Sequence, residues 1–191
     1  KPVTLVLGGS QGARQINSLV EATRESLSTW CTIIHQVGEK NWDGEIAARA
    51  GGSYRPFPYI SGELPDVLAA ADLVVSRAGA GSLWECAAAR KPMLLIPLAG
   101  AGTRGDQILN AAEFESRGAA LVLDGESVTA EGFRAAVESL LGDPERLGSM
   151  SDALAAFAGE DASERIARDL IARVAGSALG PDGTQEQGRK S

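Results

Sequence analysis

Two segments of the sequence combine small residues with polar side chains in a pattern suited to holding an anion. The first is Gly8-Gly9-Ser10-Gln11-Gly12-Ala13 and the second is Arg77-Ala78-Gly79-Ala80-Gly81-Ser82, and each lies between an apolar run and a helical stretch. Glycine lets a backbone approach a ligand closely, and N–H groups at a helix start carry partial positive charge. Two such turns in one domain predict a diphosphate bracketed by helix ends. Taken alone, each is equally consistent with a tight strand-to-helix connection, capped in the first case by Ser10.

Side chains that could bind hydroxyl groups follow these turns. Glu85 comes one turn into the helical stretch after the second segment, and its carboxylate could accept two hydrogen bonds from a vicinal diol such as a ribose. It could also be an acid favoured by the helix dipole, and its apolar neighbours predict that it is buried. A third segment, residues 97–107, ends in Asp106 and Gln107, with Asn110 one turn further. These three suit sugar hydroxyls, and the alternative is an Asp N-cap with surface amides.

The motifs that are missing exclude several enzyme classes. The sequence contains no H-E-x-x-H and no D-x-D pair of acids, which disfavours a zinc protease and a metal-dependent transferase. The glycine spacing of residues 8–13 matches neither G-x-G-x-x-G nor a P-loop. The lone histidine, His35, ends an apolar run in His35-Gln36-Val37-Gly38 without a neighbour to orient it as a base. We therefore predict a structural or loop-shaping role for His35.

Short apolar runs alternate with helical stretches along most of the chain. The candidate strands are Val3–Leu7, 31–35, 73–75, 93–96 and 119–123, with Tyr54–Phe57 as a weaker sixth because of its proline. The candidate helices are 13–27, 42–50, Leu64–Ala70, 83–89 and 107–116, the last expected to bury Ile108, Leu109, Ala112 and Phe114. This alternation predicts an α/β fold with a Rossmann-like, doubly wound parallel sheet of about six strands. Such sheets bind ligands at the carboxyl ends of their strands, where all three segments would lie.

The remainder of the chain is predicted to be helical and then unstructured. Helices are expected at 129–141, 143–157 and 161–174, and the polar, glycine-rich stretch 176–191 is expected to be a disordered tail. Residues 1–175 would then form one Rossmann-like domain. The start of the chain directly on a strand suggests that upstream sequence has been removed.

Composition bounds the possible partners. Among 191 residues the formal net charge is -7, which argues against nucleic acid as a partner because phosphate backbones need a basic face. Cys31 and Cys86 sit in apolar surroundings without a metal-binding spacing, and we expect small buried thiols of a reducing compartment. No signal peptide is visible, and no apolar stretch approaches the roughly 18 residues that cross a membrane.

Four motifs in this order resemble the C-terminal half of the MurG family of peptidoglycan glycosyltransferases, glycosyltransferase family 28. They are GGSQGA at 8–13, HQVG at 35–38, AADLVVSRAGA at 70–80 with Glu85, and DQ followed by NA at 106–111, and the resemblance covers about residues 3–174. It implies that the chain is one half of a GT-B fold and that the donor is UDP-GlcNAc. It also implies inversion at the anomeric carbon, with no metal and no cofactor.

Ten residues would line the donor site by their positions in the family's motifs. The resemblance assigns them to the diphosphate (Ser10, Gly12 and the backbone of Ala80, Gly81 and Ser82), to uracil (the main chain of Ile60), to the ribose (Glu85) and to the GlcNAc hydroxyls (Asp106, Gln107 and Asn110). One segment departs from the pattern: residues 99–105 are rich in Gly and Ala where the family has a run of His, Lys or Asp. This departure bears on the choice of sugar.

The family's N-terminal half, with its acceptor loop and candidate catalytic base, has no counterpart in this chain. We therefore assign no catalytic residue and expect the chain to bind donor without completing the transfer. The acceptor implied is lipid I, undecaprenyl-pyrophosphoryl-MurNAc-pentapeptide, reached through the missing half at the inner face of the cytoplasmic membrane. Two alternatives stay open: a donor-binding subunit of a split UDP-sugar transferase with a separate partner chain, and a Rossmann dinucleotide enzyme. The latter is disfavoured because His35-Gln36 stands where an acid would end the second strand.

Overall fold

A computed structural model describes residues 1–9, 12–98 and 105–158. The strands are β1 (Val3–Leu7), β2 (Thr32–Gln36), β3 (Tyr54–Phe57), β4 (Leu73–Ser76), β5 (Met93–Leu95) and β6 (Ala120–Val122). The helices are α1 (Arg14–Trp30), α2 (Gly44–Ala48), α3 (Leu64–Ala70), α4 (Ala80–Ala88), α5 (Asp106–Ser116), α6 (Ala130–Leu141) and α7 (Pro144–Ala158). The predictions made for Ser10, for the loop 99–104, for a helix at 161–174 and for the tail at 176–191 lie outside the described residues.

The six strands form one parallel sheet in the order β3-β2-β1-β4-β5-β6. The chain builds outward from β1 to β3 and then returns to the centre, so that β1 pairs with both β2 and β4. This is the strand order of doubly wound dinucleotide-binding sheets, and it places the topological switch point between β1 and β4. The predicted fold class is confirmed, as are the five stronger strands to within one residue at each end.

The weaker candidate strand, Tyr54–Phe57, is present as β3. Its proline is tolerated because β3 lies at the edge of the sheet. Ile33 N–H donates to Ser53 O at 2.7 Å and Val37 N–H donates to Phe57 O at 2.9 Å, so alternate residues of this segment face β2. Pro56 falls between them, and its nitrogen points to the outer side of β3. A proline there costs no hydrogen bond of the ladder.

Helices cover both faces of the sheet and define two cores. On one face, α1 and α6 bury a cluster that includes Ile16, Val20, Phe133 and Leu140. On the other face, α3, α4 and α5 bury a cluster with members from each of them: Leu68, Leu83, Cys86, Ala111 and Phe114. Helix α7 contributes Met150 to the first cluster and Leu154 to the second. The near-continuous apolar strands are thus explained by burial on both sides.

Three helix predictions need correction. In α5, Ile108 and Leu109 are 44% and 71% exposed, and the inward residues are Ala111 and Phe114, so only Phe114 of the expected apolar face is buried in the described core. Helix α4 begins at Ala80, three residues earlier than predicted, because Gly79 serves as its N-cap. The helix expected at 42–50 is shorter, since α2 spans only Gly44–Ala48, and a separate 3-10 turn, Glu39–Asn41, precedes it.

The predicted helix at 129–141 and the predicted burial of both cysteine thiols are confirmed. Thr129 caps α6, its hydroxyl accepting a hydrogen bond from Gly132 N–H at 3.0 Å. Both cysteines are free and buried, and burial raises the pKa of each thiol, that of Cys86 to about 12. In the part of the chain that the structure describes, no helix combines the length and apolarity needed to cross a membrane.

Candidate functional site

The turns that follow β1 and β4 flank the switch point of the sheet. Leu7 is in register with Ser76, so the two chains leave the sheet side by side. The first turn must stay close to the next strand: a Cβ on Gly8 would lie 2.9 Å from Gln36 O, and one on Gly12 would lie 2.3 Å from Val37 O. Gly12 also has a φ of +75°, which disfavours any other residue. The packing of the turn therefore accounts for Gly12.

The helices that start at the switch point, α1 and α4, differ from the other described helices in charge. Neither has an acidic residue in its first turn or a capping side chain among the described residues, whereas each of α2, α3, α5, α6 and α7 carries a first-turn acid. Helix α1 even begins with Arg14. In a chain with a net charge of -7, the two positive helix ends without a neutralising carboxylate are the two that face the crevice. Such ends attract an anion from outside the chain.

Gly79 and Gly81 line the start of α4, and the fold itself does not require glycine at either position. A Cβ added to either residue would meet nothing within 4 Å, and neither has a positive φ. No described residue accepts a hydrogen bond from the N–H groups of residues 79–82. The open space and the unpaired donors together are what a backbone-bound phosphate group needs.

Arg77 is a cation at the base of the crevice that sequence reasoning did not select. Its guanidinium donates to Gln15 Oε1 at 3.0 Å and to Ile96 O at 2.9 Å, and burial lowers its pKa from the ordinary value. It thereby ties the end of β4 to the first turn of α1 and to the end of β5. A cavity of about 410 Å³ opens beside it, with these described lining residues: Gly8, Gly12, Ala13, Arg14, Gln15, Arg77 and Leu98. The sequence did offer a signal for Arg77 as a site residue, because it lies directly before the Gly-Ala turn.

Ile60 lies beyond the end of β3, and its main chain is only partly available. The residue is buried, in the same cluster as Leu7 and Ala78, and its N–H donates to Gln36 Oε1 at 3.0 Å. Its carbonyl makes no backbone hydrogen bond with the described residues. A uracil contact is therefore open at the carbonyl, while the N–H would first have to leave Gln36.

Glu85 and Asp106 are the two carboxylates of the predicted site, and both are exposed. The expectation that Glu85 is buried is wrong: it lies on the outer side of the second turn of α4, while Leu83 and Cys86 face the core. The Glu85 carboxylate makes no hydrogen bond or ion pair with the described residues, whereas its backbone carbonyl accepts a hydrogen bond from Ala89 N–H. Asp106 is the first residue of α5, after Gly105, whose φ of +76° marks the end of the preceding loop. Both carboxylates are free to accept hydrogen bonds from a ligand.

Gln107 and Asn110 lie half-buried on one face of α5, and each holds a loop of the crevice. Gln107 Oε1 accepts a hydrogen bond from Leu98 N–H at 2.9 Å, next to the undescribed loop after β5. Asn110 Nδ2 donates to Ala78 O at 3.1 Å, in the turn after β4. Part of each amide is thus used within the fold, and the rest is available to a sugar.

His35 is structural, as predicted. Its Nε2 lies 3.1 Å from Asn17 Oδ1 and its Nδ1 lies 3.0 Å from the Tyr54 hydroxyl, and the side chain is 2% exposed. Asn17 Nδ2 donates to Val37 O, which leaves Asn17 Oδ1 as an acceptor and places the proton of neutral His35 on Nε2. Desolvation lowers the pKa of His35 to about 4, so the ring is uncharged at neutral pH. A cavity of about 520 Å³ beside α1 reaches this network, whose polar atoms already satisfy one another.

Comparison with known proteins identifies the family to which this domain belongs. Residues 3–166 match the model of the glycosyltransferase family 28 C-terminal domain. The chain belongs to this family. Over 173 residues it is 43% identical to a protein of Treponema denticola named UDP-N-acetylglucosamine–N-acetylmuramyl-(pentapeptide) pyrophosphoryl-undecaprenol N-acetylglucosamine transferase, covering 83% of this chain and 44% of that protein. A protein of Geobacillus thermodenitrificans with the same name is 47% identical over 146 residues, covering 76% of this chain and 40% of its own length.

Solved structures agree with this family 28 assignment. The crystal structure of Acinetobacter baumannii MurG superposes with a TM-score of 0.74 at 26% identity, covering 91% of this chain and 50% of that one. The glycosyltransferase of kitacinnamycin superposes with a TM-score of 0.63 at 28% identity, over 81% of this chain and 39% of that one. The family 28 chain described here thus spans half or less of the length of these relatives. The sheet is a Rossmann-like half of a GT-B fold.

Proposed function

We propose that this chain is the donor-binding half of an inverting glycosyltransferase that moves GlcNAc from UDP-GlcNAc to undecaprenyl-pyrophosphoryl-MurNAc-pentapeptide, lipid I. The observation that carries the proposal is the pair of helix ends at the switch point, those of α1 and α4, which lack both a capping side chain and an acid among the described residues. A diphosphate bound there would accept hydrogen bonds from the unpaired N–H groups at both helix ends. The names of the family 28 relatives support UDP-GlcNAc as donor and the lipid-linked sugar as acceptor.

The chemistry of the transfer explains why N–H groups suit this site. When the acceptor hydroxyl attacks the anomeric carbon, the bond to the diphosphate oxygen breaks and UDP leaves with increasing negative charge. Backbone N–H groups that point at this oxygen stabilise the charge as it develops, and they need no reorganisation. The free N–H groups of Ala80, Gly81 and Ser82 have this role in the proposal, with the start of α1 on the other side of the switch point.

The rest of the donor is assigned to residues around the crevice. Glu85 would accept both ribose hydroxyls, the Ile60 carbonyl would meet uracil, and Asp106 with the free amide atoms of Gln107 would meet the GlcNAc hydroxyls. The acceptor hydroxyl must also lose a proton to a base. We assign that base, the lipid acceptor and contact with the inner face of the cytoplasmic membrane to polypeptide that this chain does not include.

Titration calorimetry with UDP-GlcNAc, UDP and ADP tests the proposal on the isolated chain. Both uridine ligands should bind, and UDP should bind more tightly than ADP because the base would meet the main chain after β3. No preference for uridine, or no binding of any of the three, would contradict a donor-binding role. Transfer of GlcNAc to a lipid I analogue by the chain alone would contradict the assignment of the base to other polypeptide.

A further inference from the structure

The side chain of Asn110 crosses from α5 to the turn that presents the start of α4. Its Nδ2 donates to the carbonyl of Ala78 at 3.1 Å, and Ala78 is fully buried. On the other side of the same turn, Arg77 is held by Gln15 and Ile96. The peptide that joins Ala78 to Gly79 is therefore held directly by Asn110, and the chain just before it is anchored through Arg77.

Fixing the Ala78 carbonyl also fixes the N–H of Gly79. The described chain has no cis peptide bonds, and in a trans peptide the C=O and the following N–H point in opposite directions. A carbonyl held towards Asn110 on α5 thus sends the Gly79 N–H away from α5. That N–H has no acceptor among the described residues, and the space around the Gly79 Cα is open.

We propose that Asn110 is a positioning residue that orients the Ala78–Gly79 peptide so that the Gly79 N–H binds the diphosphate together with the N–H groups of α4. The inference rests on the proposed donor-binding function and extends the anion site by one donor that precedes the helix. It gives Asn110 a role through the peptide in addition to any contact that its free Oδ1 makes with the sugar. Without the Asn110 amide, the peptide can rotate and the Gly79 N–H loses its direction.

The test compares UDP with uridine, which has the base and the ribose but no phosphate. In Asn110→Ala, and in Asn110→Leu, which keeps most of the side-chain volume, UDP should bind about tenfold more weakly or worse, the size of a lost hydrogen bond to a charged group. Uridine affinity should stay the same. A general loosening of the site would weaken both ligands equally, so the ratio of the two affinities separates positioning from a merely structural role.

Glu115→Ala is the matched control. Glu115 is also on α5, and its Oε1 accepts a hydrogen bond from Val122 N–H at 2.8 Å, so its removal costs a comparable bond between this helix and a neighbouring backbone. This variant should bind UDP and uridine as the unaltered chain does. A fall in its UDP affinity alone would show that any disturbance of α5 reaches the phosphate site, and would overturn the specific role of Asn110.

The amide resonance of Gly79 gives a direct readout by NMR. In the unaltered chain its proton should move downfield when UDP is added and stay in place when uridine is added; in Asn110→Leu the UDP-induced shift should disappear. An unchanged UDP affinity in both Asn110 variants, or equal losses for UDP and uridine, would overturn this inference and leave the donor-binding function intact. Failure of the unaltered chain to bind UDP would overturn both.

Discussion

The carboxylate of Glu85 is exposed on the second turn of α4 and is not bonded to any described residue, so the fold does not depend on it. The same residue lies one turn from the N–H groups assigned to the diphosphate. An acid that served only the helix dipole would be expected in the first turn, as in the five other described helices that carry a first-turn acid. The sixth position of α4 is instead suited to a group that extends from the diphosphate, such as a ribose.

Substitution of Glu85 should therefore affect ligand affinity without affecting stability. Glu85→Ala should weaken UDP binding by about 1–3 kcal/mol, because two hydrogen bonds from the ribose hydroxyls to a charged group are lost. Calorimetry with UDP and with its 2′,3′-dideoxy analogue measures this. The analogue lacks both hydroxyls and should bind the variant and the unaltered chain equally, while an unchanged UDP affinity would reduce Glu85 to a surface acid.

His35 makes the stability of the fold depend on pH. Its pKa is lowered from 6.5 to about 4 in the folded chain, so the unfolded chain takes up the proton first as pH falls. The stabilisation that neutral His35 gives is fully present above pH 6.5 and is lost as pH falls towards 4, by up to about 3 kcal/mol. Urea unfolding at pH 7, 5.5 and 4.5 should show a steeper loss for the unaltered chain than for His35→Gln. Parallel pH profiles for the two proteins would contradict this assignment.

At the scale of elements, the start of α4 shows what the sequence could and could not predict. Residues 80–82 are Ala, Gly and Ser, which carry no apolar periodicity, so the pattern became visible only at Leu83. The face of α5 was predicted wrongly for a related reason, because Ile108 and Leu109 are apolar yet exposed, so their apolarity gave a false signal of burial. The strands were predictable because burial on both faces leaves a continuous apolar run.

The partners of polar side chains were beyond the reach of local patterns. Gln36 binds Ile60 across 24 residues, and Asn110 binds Ala78 across 32. Such bonds depend on which loops the strand order brings together, and the spacing of residues along the chain does not contain that information. The sequence therefore predicted the segments of the candidate site but not how they are joined.

Substitution of Gly81 tests whether the start of α4 binds a phosphate group. Gly81→Ala places a methyl group in open space at the start of α4 and should leave the free energy of unfolding unchanged or higher, since Ala favours a helix more than Gly. If a phosphate group lies against this backbone, UDP affinity should fall about tenfold or more, as expected when a methyl group overfills a close contact.

The matched control for this substitution is in α7. Gly148 is also an exposed helical glycine with nothing within 4 Å of an added Cβ. Gly148→Ala should stabilise the chain by up to about 1 kcal/mol and leave UDP affinity as it is. Equal UDP affinities in the two variants would show that the glycine at the start of α4 is not kept for a ligand.

At the scale of the whole molecule, the proposed ligand bridges two halves of one sheet. The strands β1 to β3 form one half and β4 to β6 the other, and the helix ends assigned to the diphosphate come from both. UDP at a hundred times its dissociation constant should therefore raise the free energy of unfolding of the whole chain by about 2.7 kcal/mol. Thermal unfolding monitored by circular dichroism measures this, and an equal shift with ADP at the same concentration would argue against a uridine site.

The strand order also governs the sequence of events as the chain folds. Within each half, strands pair with neighbours that lie one crossover away along the chain, but the pairing of Val6 with Val75 spans both halves. Contacts between distant residues close late, because the entropy of the intervening chain opposes them. The crevice is therefore expected to be the last part of the sheet to assemble and the first to part. A nucleotide bound across the crevice would slow unfolding and so lengthen the lifetime of the native sheet. The rate of refolding would stay nearly the same.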